Sequence, residues 1–235
     1  MGSTVEQSVL TLKKSEKTID DWKNHDNIHF YDAFPLEEFR KVAEARGLDT
    51  GCDVDLAMSL VPNAQSLLEV GAGYGRVLNH LINKNFAGEL YAIERNKKLM
   101  HWLTSQFENK VTLIHADLIS YYFQRQFDAI LWMWTGIIEH SRLEQPLTVS
   151  RLANCLSPNG AFIIDTIPLN EEIFNVTDIE EQNIIVETKY GNDYVYVPTA
   201  EQIKEYAIKA NLQVREIIHY KTRLDQKRML HILTH

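Results

Sequence analysis

Glu69-Val70-Gly71-Ala72-Gly73-Tyr74-Gly75-Arg76 stands at a junction between two kinds of pattern. Before it, Ser66-Leu67-Leu68-Glu69-Val70 is a short run, mostly apolar, that stops at glycine, as a strand buried on both faces does. After it, Val77, Leu78, Leu81 and Ile82 share one stripe of a helix over Tyr74 to Asn83. An ordinary strand-to-helix turn needs one glycine, and this one has three at alternate positions. Such a backbone can turn tightly and approach a ligand closely.

Outward from this junction the chain alternates. Strands are expected at Leu90–Ile93, Val111–Ile114, Phe127–Met133 and Ala161–Ile164, and helices at Lys97–Phe107 and Leu143–Leu156, with a short one near Ile119. Short apolar strands separated by helices imply a parallel sheet covered on both faces. The alternation then breaks. Ile184–Thr188 and Tyr194–Val197 are β-rich runs joined by Gly191-Asn192-Asp193, an expected hairpin and its turn. Thr199 caps a helix running to Ala210, and Val214–Tyr220 and Met229–Leu233 are two closing strands. The link between them is too short for a helical crossover, so they should be antiparallel. The expected fold is α/β: a doubly wound, seven-stranded, mostly parallel sheet, with a β-hairpin insertion at residues 170–197. Residues 1–62 should form an N-terminal helical cap, with Pro35 opening one helix and Val54 to Leu60 forming another, and residues 63–235 the main domain.

Composition narrows the chemistry. The chain has 235 residues, with 24 Lys and Arg against 32 Asp and Glu, a net charge of −8. That balance argues against general nucleic-acid binding, which rests on cations displacing counterions. Cys52 and Cys155 stand far apart, outside any metal-ligand or redox pair, and read as reduced thiols. The first ten residues have no apolar signal core, and Glu6 breaks the myristoylation pattern. The longest apolar stretch, Phe127–Ile138, contains Asp128 and falls short of a bilayer span. A cytoplasmic protein without membrane insertion is expected, its oligomeric state open.

The dinucleotide fingerprint GxGxxG has a different spacing, and an acid two residues before the first glycine would meet a pyrophosphate unfavourably. The segment instead resembles the (E/D)xGxGxG motif of the class I S-adenosylmethionine-dependent methyltransferases, with every fixed position matched from Glu69 to Gly75. The resemblance spans roughly residues 64–168 and reaches the closing helix and strands more loosely. It implies the fold above and S-adenosylmethionine as donor, with S-adenosylhomocysteine as product. It also implies donor contacts from Glu69, Gly71, Ala72, Gly73 and Gly75. Glu94, ending the second strand of the alternating part, would accept the ribose hydroxyls. Asp117 would meet the adenine amine, with Arg95 and Leu118 at the adenine and Trp132 at the methyl end. Arg76 is expected to face a carboxylate or the helix surface.

Phe127 to His140 is similar to the FDxVxxxxVLEH stretch of the family's small-molecule branch, which includes ubiquinone- and menaquinone-pathway enzymes. Strand alternation would point Trp132 and Trp134 the same way, making Trp134, with Tyr31 of the cap, candidate acceptor-binding residues. His140 is the candidate general base. Metal-assisted relatives carry ExxEH here; Gly136 replaces the first glutamate, so no catalytic metal is expected. The chain lacks the (N/D/S)PP(Y/F/W) tetrapeptide and a cysteine following proline in that loop, which disfavours adenine-amino, glutamine and cytosine-carbon enzymes of those types. Glu171 to Gln182 is acidic, and Trp22, His29 and Tyr31 supply aromatic surface. Together they favour a neutral or amine-bearing small-molecule acceptor, with no nucleic acid as partner. The alternatives are a protein or tRNA methyltransferase, or a donor-binding module without turnover.

Overall fold

A computed structural model describes residues 11–14, 27–168 and 182–235. In chain order it opens with β1 (Thr11–Lys14), α1 (Ile28–Ala33), α2 (Leu36–Ala45) and α3 (Cys52–Ser59). The alternating part follows: β2 (Ser66–Val70), α4 (Arg76–Asn83), β3 (Glu89–Glu94), α5 (Lys97–Phe107), β4 (Thr112–His115), β5 (Phe127–Trp132), a 3-10 turn at Gly136–Glu139, α6 (Glu144–Ala153) and β6 (Leu156–Thr166). After it come β7 (Asn183–Thr188), β8 (Gly191–Tyr196), α7 (Ala200–Lys209), β9 (Gln213–Lys221) and β10 (Lys227–Thr234).

Seven strands form one sheet in the order β4-β3-β2-β5-β6-β10-β9. The first five are parallel, and β10 runs antiparallel to both β6 and β9. This is the α/β, mostly parallel sheet expected from the alternation. Strand pleating divides its side chains between two cores. Leu67, Ala129, Leu131, Ile163 and Ile232 pack with Val54, Leu78, Leu81 and Leu103 of α3, α4 and α5. Leu68, Ile130, Trp132, Phe162, Ile164 and Leu233 pack with Val149, Leu152, Ile203 and Tyr206 of α6 and α7. Each strand buries both faces, which is why β2 and β5 read as apolar runs. At α7 the Thr199 hydroxyl accepts from Gln202 N, and the Gln202 side chain accepts from Thr199 N. This capping box explains the clean start of that helix.

Four local expectations change. No helix forms near Ile119; Ser120 and Tyr121 N–H both donate to Asp117 O in a turn. β6 begins at Leu156, because an irregularity opposite Phe127–Ala129 absorbs Ser157 to Gly160 without breaking the strand. The hairpin forms, but its turn is Lys189–Tyr190, with Thr188 paired to Gly191. The Thr188 hydroxyl closes it by accepting from Tyr190 N and donating to Gly191 O. This register releases Asp193 from the turn into β8. Finally, the cap is not wholly helical: β1 pairs antiparallel with β7 in a three-stranded sheet, β1-β7-β8. An edge strand offers open backbone groups that a neighbouring segment can satisfy. Trp22 and the acidic run Glu171–Glu181 lie outside the described residues.

The third glycine of the loop serves packing. Gly75 has φ +86°, and a Cβ there would lie 2.5 Å from Phe107 Cε2 and 3.0 Å from Leu103 Cδ2 on α5. Gly75→Ala combines left-handed strain with an overlap inside the core, and should cost roughly 2–4 kcal/mol. Urea unfolding checks this; an unchanged midpoint would refute the assignment.

Candidate active site

The order of the sheet sets the site. From β2 the chain steps outward to β3 and β4, then returns to β5 on the other side, so the carboxyl ends of β2 and β5 flank a switch point. Open α/β sheets bind ligands at such a point. A cavity of 340 Å³ opens there, lined by the glycine loop, the ends of β3 and β5, α1, α2 and the insertion hairpin. That size suits a small-molecule ligand.

Gly71 and Gly73 have φ +67° and +56°. A Cβ on Gly71 would meet nothing within 4 Å, and one on Gly73 only Gly71 O at 3.9 Å. Unlike Gly75, both therefore present bare backbone to the cavity. Glu94 is buried, and its carboxylate accepts from Gly73 N at 2.9 Å and Asn96 N at 2.8 Å. Burial raises its pKa, and these two N–H groups pull it back. Glu69 is buried too, and its Oε2 has no hydrogen-bond partner. Burial pushes its pKa to about 8, with Arg76 opposing and Glu94 adding to the rise. Asp117 Oδ1 accepts from Ile119 N at 2.8 Å, and Oδ2 lies 3.9 Å from Arg95 Nη1. Leu118 is buried beside them, and Ala72 lines the same wall.

Arg76 does face a carboxylate: it pairs with Asp53 of α3 at 2.6 Å, both side chains buried, and donates to Leu48 O. The β5 end departs from expectation. The strand stops at Trp132, and Trp134 and Thr135 both take left-handed φ, +48° and +62°. Alternation therefore fails beyond Trp132. Its indole packs edge-on to His140 and parallel to Phe162, whereas Trp134 lies edge-on to Tyr74 under the Arg76 guanidinium. Both rings still line the cavity. A β-branched residue at positive φ is strained, and such strain concentrates at functional sites. Here Arg228 Nη2 donates to the Thr135 hydroxyl at 2.9 Å while paired with Asp165. A Cβ on Gly136 would lie 2.6 Å from Trp132 Nε1, so the indole occupies the space a glutamate would need.

His140 also lines the cavity. Burial lowers its pKa to about 4, leaving a neutral imidazole of weak basicity, with Nδ1 3.4 Å from the Thr148 hydroxyl. Tyr31 reaches the cavity from α1 and hydrogen-bonds Glu139, which also contacts Asp193. Arg46, Asp193 and Arg228 are cavity residues that the sequence reading missed. For Asp193 the signal was its period-two register with the buried Val195 and Val197.

The methyltransferase-domain family matches residues 67–160. A 66-residue stretch is 39% identical to ribosomal RNA small subunit methyltransferase A of Mycoplasmoides gallisepticum, covering 28% of this chain and 24% of that enzyme. The matched stretch thus spans about a quarter of the curated relative. Residues 67–160 thus carry the pattern of a methyltransferase domain. The whole fold agrees. CcbJ, a methyltransferase of Streptomyces caelestis, superposes with a TM-score of 0.66 at 14% identity, over 94% of this chain and 99% of that one. CalS10, an amino pentose methyltransferase from Micromonospora echinaspora, gives 0.63 at 14% identity, over 86% and 98%. Among the described residues, no helix is long and apolar enough to cross a membrane, and no three His, Cys, Asp or Glu side chains converge as metal ligands.

Glu69 makes the stability of the ligand-free domain pH-dependent. Its pKa rises from 4.5 to about 8 on folding, so between those values the folded state holds more protons than the unfolded. Stability from this group therefore falls as pH rises through that window. The Glu69→Gln variant should gain stability relative to the parent between pH 5 and pH 8, as read from urea unfolding at both. An equal difference at both pH values would contradict the assignment.

Proposed function

We propose that this protein transfers a methyl group from S-adenosylmethionine to an oxygen or nitrogen of a small molecule, leaving S-adenosylhomocysteine. The observation that carries this is the pair of carboxyl groups at the glycine crevice. Bare backbone is flanked by two buried carboxyl groups, Glu69 with an unpartnered oxygen and Glu94. A nucleoside carrying ammonium and sulfonium charges fits there, because its cations favour the ionised form of both carboxyls, which a phosphate would oppose. Glu69 would face the ammonium end. Each Glu94 oxygen has a second lone pair for a ribose hydroxyl beyond its present bond. Asp117 Oδ2 would take the adenine amine, between Ile93 and Leu118.

The sulfonium makes the methyl group electrophilic. What remains for the chain is to exclude water and hold the acceptor in line, which supplies much of the rate in a direct displacement. Trp132, Met133 and Trp134 would wall the methyl end. Support for a small acceptor comes from the confined aromatic cavity, built by Tyr31, Phe34, Phe39, Tyr74 and Trp134, and from the fold shared with an amino pentose methyltransferase. An RNA acceptor is the alternative that the curated relative raises; the net charge of −8 opposes it.

S-adenosylhomocysteine should raise the melting temperature, and NAD should not. Gly73→Arg, which fills the cradle, should abolish that shift while leaving the unliganded protein folded. With radiolabelled S-adenosylmethionine, label should enter the small-molecule pool of a cell extract. Labelling of RNA alone would overturn the acceptor class, and an unaltered shift in Gly73→Arg would overturn the donor site.

A further inference from the structure

Glu139 and Asp193 are two carboxyl groups in contact, brought together by three segments outside the glycine crevice. Glu139 ends the 3-10 turn after β5, Asp193 lies on β8, and Tyr31 and Asn27 come from the start of the cap helix α1. Asn27 Nδ2 donates to Glu139 Oε2 at 3.0 Å and to Tyr194 O at 2.9 Å, and its Oδ1 accepts from Tyr194 N. The Tyr31 hydroxyl also bonds Glu139. Asp193 is only 8% exposed, yet its Oδ1 receives no hydrogen bond. Tyr31, Glu139 and Asp193 all line the cavity.

Two carboxyl groups in contact cannot both ionise, so they share one proton and hold one negative charge. Burial raises both carboxyls, and Glu139 raises Asp193 further, so the pair as a unit holds the proton. Arg95 is the cation acting on both carboxyls. A purely structural staple would do better with an amide, since an incompletely satisfied buried charge is costly. The arrangement suits a ligand that brings N–H donors and a positive charge, with Tyr31, Phe34 and Phe39 beside its organic part.

Resting on the methyl-transfer reading, we propose that the Glu139–Asp193 pair with Tyr31 is the acceptor subsite, that it binds a protonated amine, and that it takes the proton which must leave before nitrogen can attack. An ammonium carries no free lone pair. Transfer of one proton to the singly ionised pair leaves the free amine and a doubly protonated pair. The nitrogen lone pair then forms the N–C bond to the methyl group as the C–S bond breaks, and its electrons stay on sulfur. The products are an N-methylammonium and the neutral thioether.

The test uses the full chain saturated with S-adenosylhomocysteine and three probes of similar shape: phenethylammonium, 2-phenylethanol and 3-phenylpropionate. Calorimetry should show the ammonium binding most tightly. Asp193→Asn and Glu139→Gln should each weaken it roughly 10- to 100-fold, the loss expected for a charged hydrogen bond. Both variants should keep the parent affinity for S-adenosylhomocysteine, which also reports that they fold. With S-adenosylmethionine the parent should yield the N-methyl product by mass spectrometry. Equal binding of alcohol and ammonium, no ammonium binding, or unchanged affinity in both variants would overturn the subsite. The comparison among probes needs only the parent. Should S-adenosylhomocysteine itself fail to bind, the methyl-transfer reading fails first; failure of the probes with it bound sinks the subsite alone.

Discussion

The site depends on where β2 is made to end. Gly71 holds a left-handed φ, so the strand cannot continue, and the chain leaves the sheet beside the switch point. Gly71 N and Ala72 N both donate to Ile93 O, and Gly73 N donates to Glu94. The loop is thereby fixed to the end of β3 before any ligand arrives. Gly75 then lets α4 pack directly on Leu103 and Phe107 of α5. One turn thus serves two purposes: two glycines leave bare backbone on the cavity wall, and the third closes the core beneath it.

Two buried ion pairs hold the surroundings of that turn. Arg76–Asp53 fastens cap helix α3 to the first residue of α4, immediately beside the glycines. Arg228–Asp165 joins β10 to the end of β6, and through Thr135 it supports the strained turn after β5. Removing one member of such a pair leaves an uncompensated buried charge, which costs far more than an exposed pair contributes. Both arginines line the cavity, so the groups that fix the walls also set its charge. Arg46 differs: burial and Arg228 lower its pKa, and among the described residues no carboxylate pairs with it.

Much of the frame was legible in the residues. β2 at Ser66–Val70 and α5 at Lys97–Phe107 coincide with their apolar patterns, because burial on both faces or along one stripe leaves a strict periodicity. The Glu69, Glu94 and Asp117 positions could be read because each lies at or next to a strand end, and parallel strands share one carboxyl edge. Legibility failed where a periodic pattern was carried past its element. Alternation gives Trp134 the direction of Trp132, although two left-handed residues intervene before the 3-10 turn. Gly191-Asn192-Asp193 has the composition of a turn, although the two-residue turn before Gly191 places Asp193 inside β8.

The sequence by itself determined the parallel sheet, the glycine turn and the three acids along its edge, because these follow from local periodicity and from spacing within one βαβ unit. Only the tertiary structure decided the second acidic cluster of the cavity. Asn27, Tyr31, Glu139 and Asp193 are up to 166 positions apart, counted from residues 27 and 193, and no local pattern links them. Their meeting depends on β8 docking against the 3-10 turn and α1, and the shared proton exists only once burial has removed the water that would let both carboxyl groups ionise.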